Sequence, residues 1–286
     1  MLERKLVIVS GKGGVGKSAI AVALALRAQR AGKRVLVSAM SDGVGTAIHL
    51  GADHLSYKPT TFYGDIHAME VDRAYALEEY LKVQLRVPQA APTKTFSKAM
   101  QVLVDTAPGI REVISMGKPI FDTWQGHYDL VVVDAPPIGQ LMSYLRAPAV
   151  VANVVPTGAI KDQSGRMAAM LRDPEQTALV LVTTPEELPA LETKQALDEL
   201  ESERLINLGV LIANRVLPPL DITPHQIEAL PDRPATAAAA HHTSLLALQD
   251  ASLDSLPIDV RLPYLFGVHT PAEVSAQLAD EWEDAL

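Results

Sequence analysis

Lys5-Leu-Val-Ile-Val-Ser-Gly-Lys-Gly-Gly-Val-Gly-Lys-Ser18 joins a short β-branched apolar run to a glycine-rich turn. The run Leu6 to Ser10 has the composition of a buried strand and is closed by Gly11. Beyond it, Ser18 to Gln29 carries alanines, leucines and Ile20, all good helix material. Between the two, Gly11 to Ser18 matches G-x-x-x-x-G-K-[ST] at every fixed position. The chemistry accounts for the residue types. Gly11, Gly13, Gly14 and Gly16 let the backbone wrap phosphates without Cβ clashes. Consecutive N–H groups, through Val15 and on to Ser18 and Ala19 at the helix N-terminus, then face the anion. Lys17 supplies charge at the β/γ-phosphates, and the Ser18 hydroxyl is placed to ligate magnesium. The bland alternative is a glycine-rich turn with no ligand, and the strand–loop–helix context weighs against it. The expectation is a nucleoside triphosphate, ATP, bound with Mg2+.

Further strands are expected at Arg34 to Ala39, Asp65 to Val71, Asp129 to Asp134, Ala178 to Thr183, Leu208 to Ala213 and Pro257 to Leu262. Helical patterns lie between most of them, including Leu191 to Glu203. Such alternation predicts an α/β fold: a mostly parallel sheet with helices on both faces. Two stretches fit less well. Arg73 to Lys118 is helical in character and reads as a helical subdomain inserted in a single domain spanning 1–286. Leu217 to Ser255, with several prolines and the run Ala237 to Ala240, reads as one or two helices joined by loops.

Composition narrows the class. The chain has 286 residues, 48% hydrophobic and 21% charged, a globular balance with enough length for a large core. Its formal net charge of -9 disfavours nucleic acid and anionic lipid as partners. With no cysteine, disulfides, thiolate zinc sites and iron–sulfur clusters are excluded. No apolar run is long enough to span a bilayer, and the Leu6 to Ser10 run is too short for a signal peptide, so a soluble cytoplasmic protein is expected. The pair His241-His242 follows four alanines in what reads as a polar loop, and without ligand spacing around it reads as surface.

Lys12 goes beyond the ordinary loop, which makes no demand at its second position. With Gly13 and Gly14 it resembles the deviant K-G-G-x-G-K-[ST] loop of the family that includes ArsA, partition and division-site ATPases and nitrogenase iron protein. The resemblance implies a lysine that crosses a dimer interface and neutralises phosphate charge in the neighbouring subunit. The alternative is a solvated loop lysine. Asp134 ends the most apolar strand, and a carboxylate there suits magnesium binding through water. Asp134 to Pro148 is similar to the second switch of the ArsA and tail-anchored-protein-targeting branch, the anion-transporting ATPases. Pro108-Gly-Ile-Arg-Glu112, Thr184-Pro185-Glu186 with Glu192-Thr193, Ala213-Asn214-Arg215 and Leu262-Pro263 resemble other motifs of that branch, in order. The resemblance implies adenine contacts at Asn214 and Pro263. The plain readings are a strand-end asparagine bonded to nearby backbone and a proline ending an edge strand.

The first switch departs from the family. Its D-P-A-H, whose aspartate positions the attacking water, is replaced by Ser38-Ala-Met-Ser-Asp-Gly-Val-Gly45. Ser41 falls at the aspartate position without a gap, and one gap brings in Asp42. The cysteines of arsenite pumps and the zinc motif of the targeting factor are absent, and the region after Pro148 is short for a methionine-rich groove. The pattern, with Ala107-Pro108-Gly109 and Asp134-Ala-Pro-Pro137, most resembles the lysine-bearing member of the paired ArsA-like ATPases of actinobacteria. That resemblance implies an ATPase subunit of a homodimer or, by preference, a heterodimer with a related subunit, its cargo unnamed. An ATP-holding regulatory subunit that does not hydrolyse is the second reading. A partition or division-site ATPase, disfavoured by charge and by the acidic Asp280 to Leu286, is the third.

Overall fold

The computed structural model describes residues 1–83, 109–228 and 232–284. In chain order the elements are β1 (Leu6–Gly11), α1 (Lys17–Arg30), β2 (Val35–Ala39), α2 (Val44–His49), β3 (Thr60–Thr61), β4 (Ile66–Glu70) and α3 (Arg73–Val83). Then come α4 (Ile110–Gln125), β5 (Leu130–Asp134), α5 (Ile138–Val154), α6 (Ala159–Arg172), β6 (Thr177–Thr183) and α7 (Glu187–Glu203). The series closes with β7 (Leu208–Val216), α8 (Pro224–Glu228), α9 (Arg233–Leu253), β8 (Val260–Pro263) and α10 (Pro271–Asp284).

Successive side chains of a strand point to opposite faces, and here both faces are apolar. Leu6 and Ile8 of β1, Val131 and Val133 of β5, and Leu179 and Leu181 of β6 join one core, with residues of α4 to α7. Val7 and Val9, Leu130 and Val132, and Val180 and Val182 join a second core, with residues of α1 and α10. Strands apolar on both faces need helices on both sides, and that forces a layered α/β architecture. The strand order is β3-β4-β2-β5-β1-β6-β7-β8. Every pairing is parallel except β3 with β4. The expected mostly parallel sheet is therefore present. β1 lies between β5 and β6, with Val9 in register with Asp134 and Gly11 with Val182. The carboxyl ends of β1 and β5 thus open side by side, where open α/β sheets hold their ligands.

Several local expectations change. β3 was not expected from the sequence. It is two exposed residues on the sheet edge, too short to leave a pattern. Ala237 to Ala240 and the His241-His242 pair, read above as loop, lie inside α9. The cause is local: the Asp232 side chain caps that helix by accepting from Ala235 N at 2.7 Å, Pro234 stands in its first turn, and alanine favours helix. Of the helical stretch Arg73 to Lys118, α3 and the start of α4 are helical as expected, and α4 runs on past Lys118 to Gln125. Buried Lys118 links α4 to α3 through Glu79 at 3.1 Å, and pairs with Asp122 at 2.8 Å. Residues 84–108, with the Ala107 and Pro108 of two quoted motifs, lie outside the described residues. Among the described residues, no helix is long and apolar enough to cross a membrane.

Candidate functional site

The loop from Gly11 to Ser18 stands at the carboxyl end of β1, and α1 begins at Lys17. Val15 is buried and plugs the loop onto the core, while Gly13 and Gly14 are exposed. Gly16 precedes α1 in the left-handed region, φ 96°. A Cβ there would lie 2.5 Å from Asn214 Nδ2, so the position requires glycine twice over. Asn214, at the end of β7, is buried and donates from Nδ2 to Val15 O at 2.9 Å. It therefore reaches the loop from two strands away in the sheet. The β7–β8 register shifts between Ala213 and Val216, across Asn214 and Arg215, and Tyr264 N beyond Pro263 donates to Val216 O at 2.7 Å. Pro263 is the last residue of β8 and half-buried. Asn214 and Pro263 thus occupy neighbouring strand ends on one side of the loop.

Asp134 occupies the other side. It is buried and accepts from Thr46 Oγ1 at 2.7 Å, with the Ser18 hydroxyl close enough to act on its charge. Burial pushes its carboxyl pKa up, while Ser18, Thr46, Lys17 and His49 oppose that rise. Lys17 is half-buried, and burial pulls its pKa down against the attraction of Asp134. Its Nζ donates to Lys12 O at 3.0 Å, so the ammonium is turned onto the loop's own backbone. Ser18 is pressed by the following helix, since a Cβ on Gly45 of α2 would lie 2.6 Å from Ser18 Oγ. His49, at the end of α2, hydrogen-bonds through Nδ1 to Pro271 O at 2.7 Å, and burial lowers its pKa.

Backbone and side-chain bonds tie the segments after β2 and β5 to this centre. Ser10 Oγ donates to Pro136 O at 2.7 Å, and Met40 N donates to Asp134 O at 3.0 Å. Past Met40 the ties thin out. Ser41 and Asp42 are exposed, and Asp42 Oδ1 accepts only from nearby Val44 N, at 3.3 Å, among the described residues. A polar cleft of about 560 Å³ opens there, lined in part by Met40, Ser41, Glu70 and Pro136.

Lys12 is half-buried on the loop's outer edge. Its Nζ donates to Glu192 Oε1 of α7 at 2.7 Å. Three of these participants were not assigned a role from the sequence: Thr46, His49 and Glu192. Thr46 meets an aspartate 88 positions away, which no local pattern announces. Glu192 was visible as part of the P-E…E-T motif, yet only the folded chain sets it against Lys12.

The arrangement can hold a polyanion. Exposed backbone, a helix N-terminus and Lys17 converge on one spot, with a hydroxyl and a carboxylate beside them. Among the described residues no three His, Asp or Glu side chains gather into a metal cage. A lone hydroxyl with one buried carboxylate fits magnesium, which keeps most of its waters and takes phosphate oxygens.

A strand–glycine loop–helix at the centre of this parallel sheet, flanked by a strand-end aspartate, defines a P-loop NTPase fold. The family model "Anion-transporting ATPase" matches residues 4–158 and 156–229, and the chain belongs to that family. It is 32% identical over 225 residues to ATPase BagA of Mycobacterium tuberculosis, covering 75% of this chain and 66% of that protein. It is 24% identical over 253 residues to ATPase get3 of Schizosaccharomyces pombe, covering 75% of this chain and 74% of the relative. An arsenical pump-driving ATPase of Acidiphilium multivorum is 27% identical over 278 residues, 88% of this chain and 45% of that protein.

Proposed function

We propose that this chain binds ATP with magnesium and hydrolyses its β–γ phosphoanhydride as one subunit of a dimeric ATPase. The observation that carries the reading is the Lys17–Ser18–Asp134 cluster at the carboxyl ends of β1 and β5, with the Thr46 hydroxyl on the buried carboxylate. Backbone N–H groups from Gly13 to Ala19 hold the phosphates, and Lys17 leaves Lys12 O to neutralise them. Ser18 would hold magnesium directly and Asp134 through a water. When bound, that ion would draw charge from the phosphate oxygens. Asn214 keeps its amide nitrogen on the loop, which leaves its carbonyl oxygen to accept from the adenine amine, with Pro263 alongside. Asp42 is the candidate for ordering the attacking water once the exposed stretch closes.

Lys12 acts on the nucleotide of a neighbouring subunit, as an arginine finger does in other NTPases. The neighbour is a second copy or, by preference, a related subunit, and the residues 1–286 form one domain with a helical insertion near 73–118. γ-Phosphate occupancy would then alter dimer geometry through the segments after β2 and β5, which already touch at Met40 and Asp134. The names of these relatives, all ATPases, support the reading. The test is titration of the full chain with ATP and magnesium, followed by phosphate release. Failure of Lys17→Ala to weaken ATP binding would sink the site assignment. Unchanged turnover of the assembled protein on Lys12→Ala would sink the trans role.

A second reading is favoured by the exposure of Ser41 and Asp42: the chain holds ATP as a regulatory subunit without hydrolysing it. Single-turnover hydrolysis by the isolated chain would dispose of that reading.

A further inference from the structure

The Lys12 side chain lies across its own chain. Its ammonium rests on Glu192, 180 residues later, in the second turn of α7. Lys17 holds the same residue from the other end, through Lys12 O at 3.0 Å. Lys12 is thus clamped twice, by a carboxylate on its side chain and by an ammonium on its backbone. The two clamps differ in what releases them. Phosphates entering the loop draw Lys17 away, because a polyanion outcompetes a neutral carbonyl for an ammonium. The Lys12 ammonium leaves Glu192 only for another anion presented to it. The pair is also weak enough to break: the Lys12 side chain is 26% exposed and that of Glu192 39%, in the range where an ion pair shifts an equilibrium by about fivefold at most.

We infer that Glu192 is a positioning residue that holds Lys12 in cis and competes for it with the phosphates of a neighbouring subunit. This rests on the trans reading of Lys12 above. In the separate chain Glu192 keeps Lys12 folded back, so assembly around a partner's nucleotide must break this pair. Filling the loop frees the Lys12 backbone, and a partner's triphosphate then displaces the carboxylate. The latch therefore weakens nucleotide-bound assembly and narrows the gap between assembly with and without nucleotide. It makes that gap sensitive to salt, since the half-exposed pair is screened while a phosphate-bound lysine at a closed interface is screened less.

A double-mutant cycle of Glu192→Gln and Lys12→Ala in the full chain tests this, using the assembly it forms with itself or with the subunit that co-purifies with it. Sedimentation would give the dissociation constant without nucleotide, with ADP, and with a non-hydrolysable ATP analogue plus magnesium. Glu192→Gln is expected to tighten analogue-bound assembly about two- to fivefold, leave nucleotide-free assembly nearly unchanged, and lose its effect in 0.5 M salt. In the Lys12→Ala background it is expected to do nothing. Glutamine keeps the size of the side chain, and unaltered thermal unfolding would confirm that the fold is intact. If Glu192→Gln weakens assembly as Lys12→Ala does, or acts equally with lysine present and absent, the latch is overturned while the trans role stands. If Lys12→Ala changes neither assembly nor turnover, the trans role is itself overturned and the latch with it.

Discussion

Asp134 and Asp42, the two carboxylates expected beside the nucleotide, sit in opposite surroundings. Asp134 is 7% exposed and receives the Thr46 hydroxyl at 2.7 Å. Asp42 is exposed and accepts only from Val44 N at 3.3 Å, among the described residues. The cause is their place in the sheet. Asp134 ends a strand held on both sides, in register with Val9 of β1 and Ala39 of β2. Asp42 lies beyond the end of β2, on the turn into the six-residue helix α2. A group fixed by two neighbouring strands needs no rearrangement to act on a ligand. A group on an exposed turn acts only after something orders the turn. The Asp134 side of the proposed site is therefore built into the resting fold, and the Asp42 side is not.

Four substitutions would break or sharpen that contrast. Lys17→Ala, on the built side, should have the largest effect. It removes a charged donor from the phosphates and should weaken ATP binding by about 3 kcal/mol, or roughly a hundredfold, in calorimetric titration. Asp134→Asn comes next. If the carboxylate acts on magnesium through water as proposed, its loss should reduce magnesium-dependent turnover about 10- to 100-fold. Thermal stability of the ligand-free chain should hold or rise, because a desolvated charge disappears. A large drop in melting temperature would mean that Asp134 serves the fold more than the site. Gly45→Ala probes the seam between the two regions. Alanine ordinarily favours a helix by about 1 kcal/mol over glycine. Here its Cβ would meet Ser18 Oγ at 2.6 Å, and the expected outcome is a loss of about 1–3 kcal/mol in denaturant unfolding. A gain in stability would show that α2 has room to move off the loop. Asp42→Ala should matter least in the isolated chain: stability within about 0.5 kcal/mol, and unchanged ATP affinity. A positioned base contributes about 10²–10⁴-fold to rate, and a single-turnover loss of that size would show that Asp42 swings in without a partner.

The same contrast separates what could be read along the chain from what could not. Gly11 to Ser18, β1, β5 and α1 follow from local signals: β-branched runs, a glycine pattern, and good helix formers. The α9 helix was equally local, one of the one or two helices expected in Leu217 to Ser255, and only the loop placing of the histidine pair was wrong. Asn214 stood out through its motif, and the bond that the fold gives it is to Val15 O of the loop. Thr46 and Glu192 were not legible in role. Each gains its meaning from a partner on a distant element, Asp134 for one and Lys12 for the other.

Sequence alone determined the strand–glycine loop–helix, the α/β class and the resemblance to the anion-transporting ATPases, because those rest on short-range backbone preferences and on residues adjacent in the chain. Tertiary structure decided which side chains face one another. Parallel strand order brings the ends of β1, β5 and β2 together, and packing of α2 and α7 against the loop brings Thr46 to Asp134 and Glu192 to Lys12. Contacts across 88 and 180 residues depend on how every intervening element packs, and no local pattern encodes that.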